Sequence, residues 1–288
     1  MTSAPAPGSV LLVTGASSGI GLATAVAAAQ AGFTVVATVR DPDRAAALTE
    51  AATAAGVDID VRKLDVTAPE SVVRCVEGVL SSYGRLDALV NNAGAAHVGT
   101  VETDSMEAIR ATLEVNFFGV VAMTHATMPH LRASGGRLVT VSSVGGIVGQ
   151  PFNEAYCAAK FAVEGFMESL APVAATVGVR VSVVEPGAVA SSFVANAGID
   201  PAAMFAAAGP YAPALAGYSA HVAASFSNPQ TSEGAAAVIL DTLLAANPAF
   251  RVQTSDTARA FVSVKLAALT GHAVQGIMST WVVPPATE

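Results

Sequence analysis

The chain is poor in cysteine, in charge and in positive charge most of all. Cys75 and Cys157, the two cysteines among 288 residues, show no CxxC spacing and are too few for a disulfide framework, so both are expected reduced, as in a cytosol-like compartment. Lys and Arg number 14 against 22 Asp and Glu, a formal charge of -8, and no basic run forms a stripe able to neutralise a phosphate backbone. Nucleic acid is thereby excluded as an expected partner. Charged residues make up only 12% against 52% hydrophobic, which excludes disorder and allows a large buried core. The longest apolar stretch, Ile20 to Val39, is interrupted by Gln30, Gly32 and several threonines. It reads as a helix followed by a strand, and no membrane span is expected. The opening MTSAPAPGSV lacks the charged and apolar regions of a secretory signal, so a cytoplasmic location is expected. No HExxH occurs; no metal is expected.

What is present is an alternation of β-rich runs with Ala-rich helical stretches. SVLLVTG, FTVVATV, VDIDVRKLDV, RLDALVNNAG, GRLVTVSS and GVRVSVVEPG read as six strands joined by five helical crossovers. One crossover is a long helix from about Thr103 to Arg132. A further helix, Thr231 to Ala246, leads to a seventh strand, AFRVQTS, and then to a helical tail ending in WVVPPATE. The pattern predicts an α/β fold, a Rossmann-type doubly wound parallel sheet of about seven strands with helices on both faces, in one domain covering 1-288. Residues 188-230 break the rhythm with Ala, Gly and Pro and contain no predicted strand, as a substrate-binding lid would.

The first strand runs into TGASSGIG, with glycines at 15, 19 and 21. A glycine turn between strand and helix lets backbone N–H groups approach a pyrophosphate, and the helix N-terminus favours negative charge. Tyr156 and Lys160, at i and i+4, share one helix face. A free phenol has a pKa of about 10. An ammonium about 4 Å away at an effective dielectric near 20 would favour phenolate by roughly 4 kcal/mol, making the pair an expected acid/base near neutrality. The plain alternative is a core tyrosine beside a snorkelling lysine. Ser143, at the end of the fifth strand, stands where a parallel sheet presents its ligand side.

With NNAG at 91-94, the Tyr-x-x-x-Lys pair and PG at 186-187, the sequence resembles the short-chain dehydrogenase/reductase family from residue 10 to about 195. Within that family the stretch around Tyr156 is most similar to steroid and retinol dehydrogenases. The resemblance implies Tyr156 as general acid/base, with Lys160 lowering its pKa and binding the nicotinamide ribose. It implies Ser143 polarising the carbonyl, with Ser142 as the rival serine, and Asn116 holding a water that links Lys160 to solvent. It further implies that Gly15, Ser17, Ser18, Gly19, Ile20 and Gly21 bind the dinucleotide, together with Asp65, Val66, Asn92, Ala93 and Gly94. Asn91 is expected near the adenine pocket, and Pro186, Gly187, Val189 and Ser191 at the carboxamide.

Where a carboxylate would bind the adenosine 2′-hydroxyl stands Val39, followed by Arg40. A guanidinium suits a 2′-phosphate, and a charge-assisted bond of about 1.5–3 kcal/mol predicts NADP(H) over NAD(H) by roughly ten- to a hundredfold, with Asp41 partly opposing. NAD(H) is the second choice. Val148, Phe152, Asn153 and Phe193 are expected to border the substrate beside Ser143 and Tyr156, and Met204, Phe205, Tyr211 and Tyr218 to cover it. His221 is read as incidental. The expected partner is a hydrophobic alcohol or ketone, with helices at 103-132 and 153-177 packing a homodimer or homotetramer. Two other readings are a non-catalytic dinucleotide-binding sensor or scaffold, and a sugar-nucleotide epimerase or dehydratase, which would need a larger C-terminal domain.

Overall fold

The computed structural model describes residues 4–193, 195–267, 276–277 and 280–281. Strand β1 (Val10–Val13) is followed by α1 (Gly19–Gln30), β2 (Thr34–Val39), α2 (Ala46–Ala55), β3 (Ile59–Lys63), α3 (Pro69–Tyr83) and β4 (Ala88–Asn91). Next come α4 (Met106–Leu113), α5 (Gly119–Ser134), β5 (Arg137–Val141), α6 (Glu154–Ala175) and β6 (Arg180–Glu185). After a short β7 (Val189–Ala190) come α7 (Pro201–Ala207), α8 (Ala212–Ser225), β8 (Gln230–Thr231), α9 (Ser232–Leu244), β9 (Arg251–Gln253) and α10 (Asp256–Leu266). The seven-stranded sheet has the order β3-β2-β1-β4-β5-β6-β9, and every neighbouring pair in it is parallel.

Both faces of this sheet are covered, so its central strands are nearly continuous apolar runs, whereas the edge strands β3, with Asp60, Arg62 and Lys63, and β9, with Arg251 and Gln253, carry polar residues. Val10 and Leu12, with Leu89 of β4 and Leu138 of β5, point to a layer of Val79 from α3, Met123 and Leu131 from α5, and Val163 and Met167 from α6. Leu11 and Val13 point the other way, to Ala25 and Ala28 of α1, Leu48 of α2, and Ile239 and Leu243 of α9. The strand order reverses between β1 and β4, and a crevice forms at the carboxyl ends of strands where it does so.

Two expectations are corrected. The helix predicted from Thr103 to Arg132 is broken by a π-helical turn, Glu114–Phe118, between α4 and α5. The segment 188-230, predicted without strand, carries β7 paired in parallel with β8 in a separate two-stranded sheet. A pair of two-residue strands leaves no alternating pattern to read. Of the tail WVVPPATE only Trp281 lies within the described residues. Among those residues no helix is long and apolar enough to cross a membrane.

Candidate active site

At the switch point the glycine turn and the NNAG loop interlock. Gly15 has φ +68, and a Cβ there would lie 2.7 Å from Ala93 Cα. A Cβ on Gly21 would collide with the Asn92 amide and the Gly15 carbonyl. Thr14 Oγ1 accepts from the backbone N–H groups of Asn92 and Ala93, both at 2.9 Å. Asn92 Nδ2 donates to the carbonyls of Thr14 at 3.0 Å and Gly15 at 2.9 Å. The turn is therefore preformed, and only glycine fits at 15 and 21. Asn91, expected near the adenine pocket, instead is 2% exposed and donates to Thr124 Oγ1 of α5 at 3.1 Å. Strand alternation sends neighbouring asparagines to opposite sides, one into the helix layer and one to the turn.

Ser18 N-caps α1 without a side-chain cap hydrogen bond, leaving first-turn N–H donors free to face an anion. Its hydroxyl instead accepts from Asn196 Nδ2 at 3.4 Å, and Asn196 Oδ1 accepts from Arg44 Nη2 at 2.6 Å. Arg44 is thus brought to the glycine turn, four residues past the predicted Arg40; the DPDR run was the only sequence signal for it. Arg40 is exposed at the end of β2. Burial would raise the pKa of Asp65, but hydrogen bonds from the Thr67 hydroxyl and backbone, with the charges of Arg40 and Lys63, bring it below the ordinary value. The neighbouring Val66 packs against Gly119, where a Cβ would lie 2.7 Å from Val66 Cγ2. Ser191 reaches the same turn, its Cβ 3.0 Å from where a Cβ on Gly19 would stand.

The other end of the crevice holds the predicted catalytic residues. Ser143 follows β5 and caps the 3-10 turn Val144–Gly146, its Oγ accepting from Gly145 N at 3.0 Å. Tyr156 lies across the same turn, a Cβ on Gly145 standing 3.4 Å from both Ser143 Oγ and Tyr156 Cε1. Lys160, one turn along α6, is 4% exposed and donates to the carbonyl of Val141 at 3.0 Å. Asn116 lies in the π-helical turn and is fully buried. Its Nδ2 donates to the carbonyls of Ala95 and Thr112 at 3.0 and 2.9 Å, and Oδ1 accepts from Ala95 N at 3.1 Å. Both amide donors are spent on bracing the loop after β4, which leaves Oδ1 alone with spare capacity for a water. A Cβ on Gly94 would stand 2.9 Å from Asn116 Oδ1 and 3.8 Å from both Lys160 Nζ and the Phe193 ring, so these groups converge on one point.

The electrostatics depart from the sequence expectation. Tyr156 keeps part of its ring exposed, yet burial of its hydroxyl end pushes the phenol up to about 12, against the opposing effect of Ser143. The Lys160 ammonium lies 5.9 Å from the ring centroid and donates to the Val141 carbonyl rather than to the phenol. Burial brings Lys160 itself down to about 8, opposed by Glu164. The i,i+4 spacing fixed a shared helix face, but not the direction of a four-carbon side chain.

Around Tyr156, Phe193 packs edge-on with ring centroids 6.2 Å apart. Phe152 adopts φ +57, the one left-handed non-glycine residue among those described, and joins Ala208, Leu215 and Tyr218 in a cluster with Met204 and Tyr211. Asn153 Nδ2 donates to Tyr218 Oη at 2.7 Å. Val148, expected beside the substrate, is 1% exposed and packs with Val144, Ile147, Ala258 and Val262 instead. Pro186 accepts from Val144 N at 3.0 Å, Gly187 faces Ala258, and Val189 is buried in β7. Phe205 is exposed, while His221 stacks on Trp281 at 3.8 Å. The space enclosed by Gly99, Thr103, Phe152, Met204, Tyr211 and Leu215 is about 10 Å³. A wider depression of about 530 Å³ between α9 and α10 is lined by none of the motif residues.

A parallel sheet with a phosphate-sized glycine turn at its switch point, and a Ser/Tyr/Lys/Asn set at the same edge, defines a Rossmann-type dinucleotide-binding protein. The short chain dehydrogenase family matches residues 9–202, and the chain belongs to that family. It is 44% identical over 191 residues to estradiol 17-beta-dehydrogenase 1 of Rattus norvegicus, covering 64% of this chain and 55% of that protein. With retinol dehydrogenase 8 of Bos taurus it shares 44% identity over 195 residues, 66% of this chain and 62% of the relative. The match thus spans less than two thirds of the length of either curated relative. A solved short-chain dehydrogenase from Streptomyces avermitilis superposes with a TM-score of 0.74 at 33% identity, covering 95% of this chain and 96% of that one.

Proposed function

We propose that this chain is an NADP(H)-dependent oxidoreductase interconverting a secondary alcohol and a ketone, or an alcohol and an aldehyde, on a hydrophobic substrate. The observation that carries this reading is the approach of Asn116 and Lys160 to Gly94 together with that of Ser143 and Tyr156 to Gly145, where a Cβ would stand 3.4 Å from both Ser143 Oγ and Tyr156 Cε1. Similarity to steroid and retinol dehydrogenases supports an apolar substrate, and so does the Phe152, Phe193, Leu215 and Tyr218 lining. Residues 188-230 serve as its lid within a single domain.

The crevice fits a dinucleotide, because the uncapped first turn of α1 and the interlocked glycine turn offer backbone donors. Gly15, Ser17, Ser18, Gly19, Ile20 and Gly21 would hold the pyrophosphate, and Arg40 with Arg44 the 2′-phosphate. Asp65, Val66, Ala93 and Gly94 would border the adenosine, with Asn92 bracing the turn from behind. Lys160 would bind the nicotinamide ribose, and the 186-191 segment with Ser191 the carboxamide. When bound, the nicotinamide supplies or removes the hydride. Ser143 donates to the substrate oxygen. Tyr156, protonated at neutral pH with a pKa near 12, donates its proton as the carbonyl oxygen becomes an alkoxide, which is the stronger base. In the alcohol-oxidising direction the phenol must first release its proton, and that step becomes easier as pH rises.

A panel of estradiol with NADP+, and of retinal and acetophenone with NADPH, identifies a turned-over substrate by NADPH absorbance. Tyr156→Phe should retain NADPH binding and lose about 10²–10⁴-fold in turnover; wild-type turnover by that variant would overturn the reading. Met106 and Phe118, with Phe161 and Val173 of α6 and Val177 just past its end, are exposed. They would form the apolar face of a homodimer or homotetramer, which light scattering would detect.

A further inference from the structure

Buried charge continues behind Lys160. One turn further along α6, Glu164 is 3% exposed, and Glu185 at the end of β6 is 0% exposed. Arg251 of β9 reaches both, with Nε 3.2 Å from Glu164 Oε2 and 3.5 Å from Glu185 Oε1. Its Nη2 meets Glu168 at the surface at 2.7 Å. Gln253 Nε2 donates to Glu185 Oε2 at 2.9 Å.

Ser142 lies close enough to lower the proton affinity of Glu164, yet Ser142 Oγ, Glu164 Oε1 and Glu185 Oε1 are each buried without completing a hydrogen bond. The carboxylate fits only because residue 146 is glycine. A Cβ there would stand 2.5 Å from Ser142 Oγ and 3.0 Å from Glu164 Cγ. Two carboxylates buried against one guanidinium are a poor substitute for an apolar plug as a source of stability, so their placement calls for another role.

That role is visible in Lys160, one turn before Glu164 on α6. The Lys160 ammonium has the Val141 carbonyl as its hydrogen-bond acceptor. Burial works against its charge, and Glu164 is the group that works for it.

We propose that Glu164 is a positioning residue of the proton-transfer site, keeping Lys160 charged from behind while Ser142, Glu185 and Arg251 fix the charge of Glu164 itself. This rests on the oxidoreductase reading above. The charged groups around Glu164 are Lys160 and Glu168 from α6, Glu185 from β6 and Arg251 from β9; the Val144–Gly146 turn and the end of β5 contribute none. Burial, with Glu185, raises the Glu164 carboxyl to about 7 against Ser142 and Arg251. The cluster therefore changes charge within the neutral range.

The test is the pH profile of kcat/KM for the panel substrate that the wild type turns over fastest, with NADPH binding followed by fluorescence. Glu164→Gln should move the alkaline limb, where Lys160 loses its proton, about one pH unit lower, a loss of about tenfold above that limb. Glu164→Asp should restore most of it. An alkaline limb unmoved in Glu164→Gln, or moved equally in Glu164→Asp, overturns the proposal. If Glu164→Gln does not fold, Glu185→Gln carries the test: removing the carboxylate that repels Glu164 leaves Glu164 more fully ionised and should move the alkaline limb to higher pH, and a limb unmoved or moved lower overturns it. Tyr156→Phe separates the two readings. Turnover by that variant defeats the oxidoreductase reading, whereas an inactive Tyr156→Phe beside an unshifted Glu164→Gln profile defeats only the role of Glu164.

Discussion

Asn92 ties the end of β4 to the glycine turn, its amide donating to the carbonyls of Thr14 and Gly15 at 3.0 and 2.9 Å. Gly21 packs against that amide so closely that a methyl group would strike both it and the Gly15 carbonyl. Gly21→Ala should therefore cost about 1–3 kcal/mol of stability and weaken NADPH binding. Thermal unfolding and NADPH fluorescence titration measure the two effects. An unchanged Tm with unchanged affinity would show that the turn yields without cost.

Arg40, whose charge acts on Asp65 together with that of Lys63, and Arg44, held by its 2.6 Å bond to Asn196 Oδ1, are the residues proposed above for the 2′-phosphate. Each charge-assisted bond to a 2′-phosphate contributes about 1.5–3 kcal/mol. Replacing either arginine by alanine should weaken NADPH binding roughly ten- to a hundredfold and leave NADH binding unchanged. Equal losses for both nucleotides would place the two residues elsewhere in the interaction.

The Glu164 carboxyl, raised from 4.5 to about 7 by burial, links stability to pH. Between those values the folded chain holds a proton that the unfolded chain has released, so stability should fall as pH rises from about 4.5 to about 7. The shift corresponds to about 3 kcal/mol at most, and Glu185, raised in the same direction, adds to it. Lys160 acts oppositely at higher pH. Its proton is lost first in the folded chain, which offsets the loss from about pH 8, whereas Cys75 and Cys157, raised by burial from 9.0 to about 11, renew it above about pH 9. Denaturant titration across pH 4 to 8 should show the fall in stability, and Glu164→Gln should make it shallower.

Tyr218 accepts from Asn153 at 2.7 Å inside the lid cluster. Tyr218→Phe leaves that buried amide hydrogen without its acceptor, which should cost about 1–3 kcal/mol. It should also raise KM for an apolar substrate more than it lowers kcat. A loss confined to kcat would instead connect this pair to proton transfer.

The sheet was legible because its central strands are apolar runs bounded by turn residues, and the crossovers are helices of ordinary length. The glycine turn, NNAG, Ser143, Tyr156 and Lys160 were legible for a related reason: each is a short pattern whose chemistry lies within a few residues. The π-helical turn at Asn116 was not, because a helix with one wider turn has the composition of any helix. The β7–β8 pair escaped because two residues cannot show a period. Arg44 escaped because its approach to Ser18 passes through Asn196, more than 150 residues away in the chain.

What the sequence determined by itself was the order of elements and the identity of the chemical groups at the crevice, since both follow from local backbone preferences and side-chain type. Only the tertiary structure decided their protonation. Folding removed water from Tyr156, Lys160 and Glu164 and turned the lysine toward Val141, and the balance of desolvation against neighbouring charge depends on atoms brought together from β5, α6, β6 and β9.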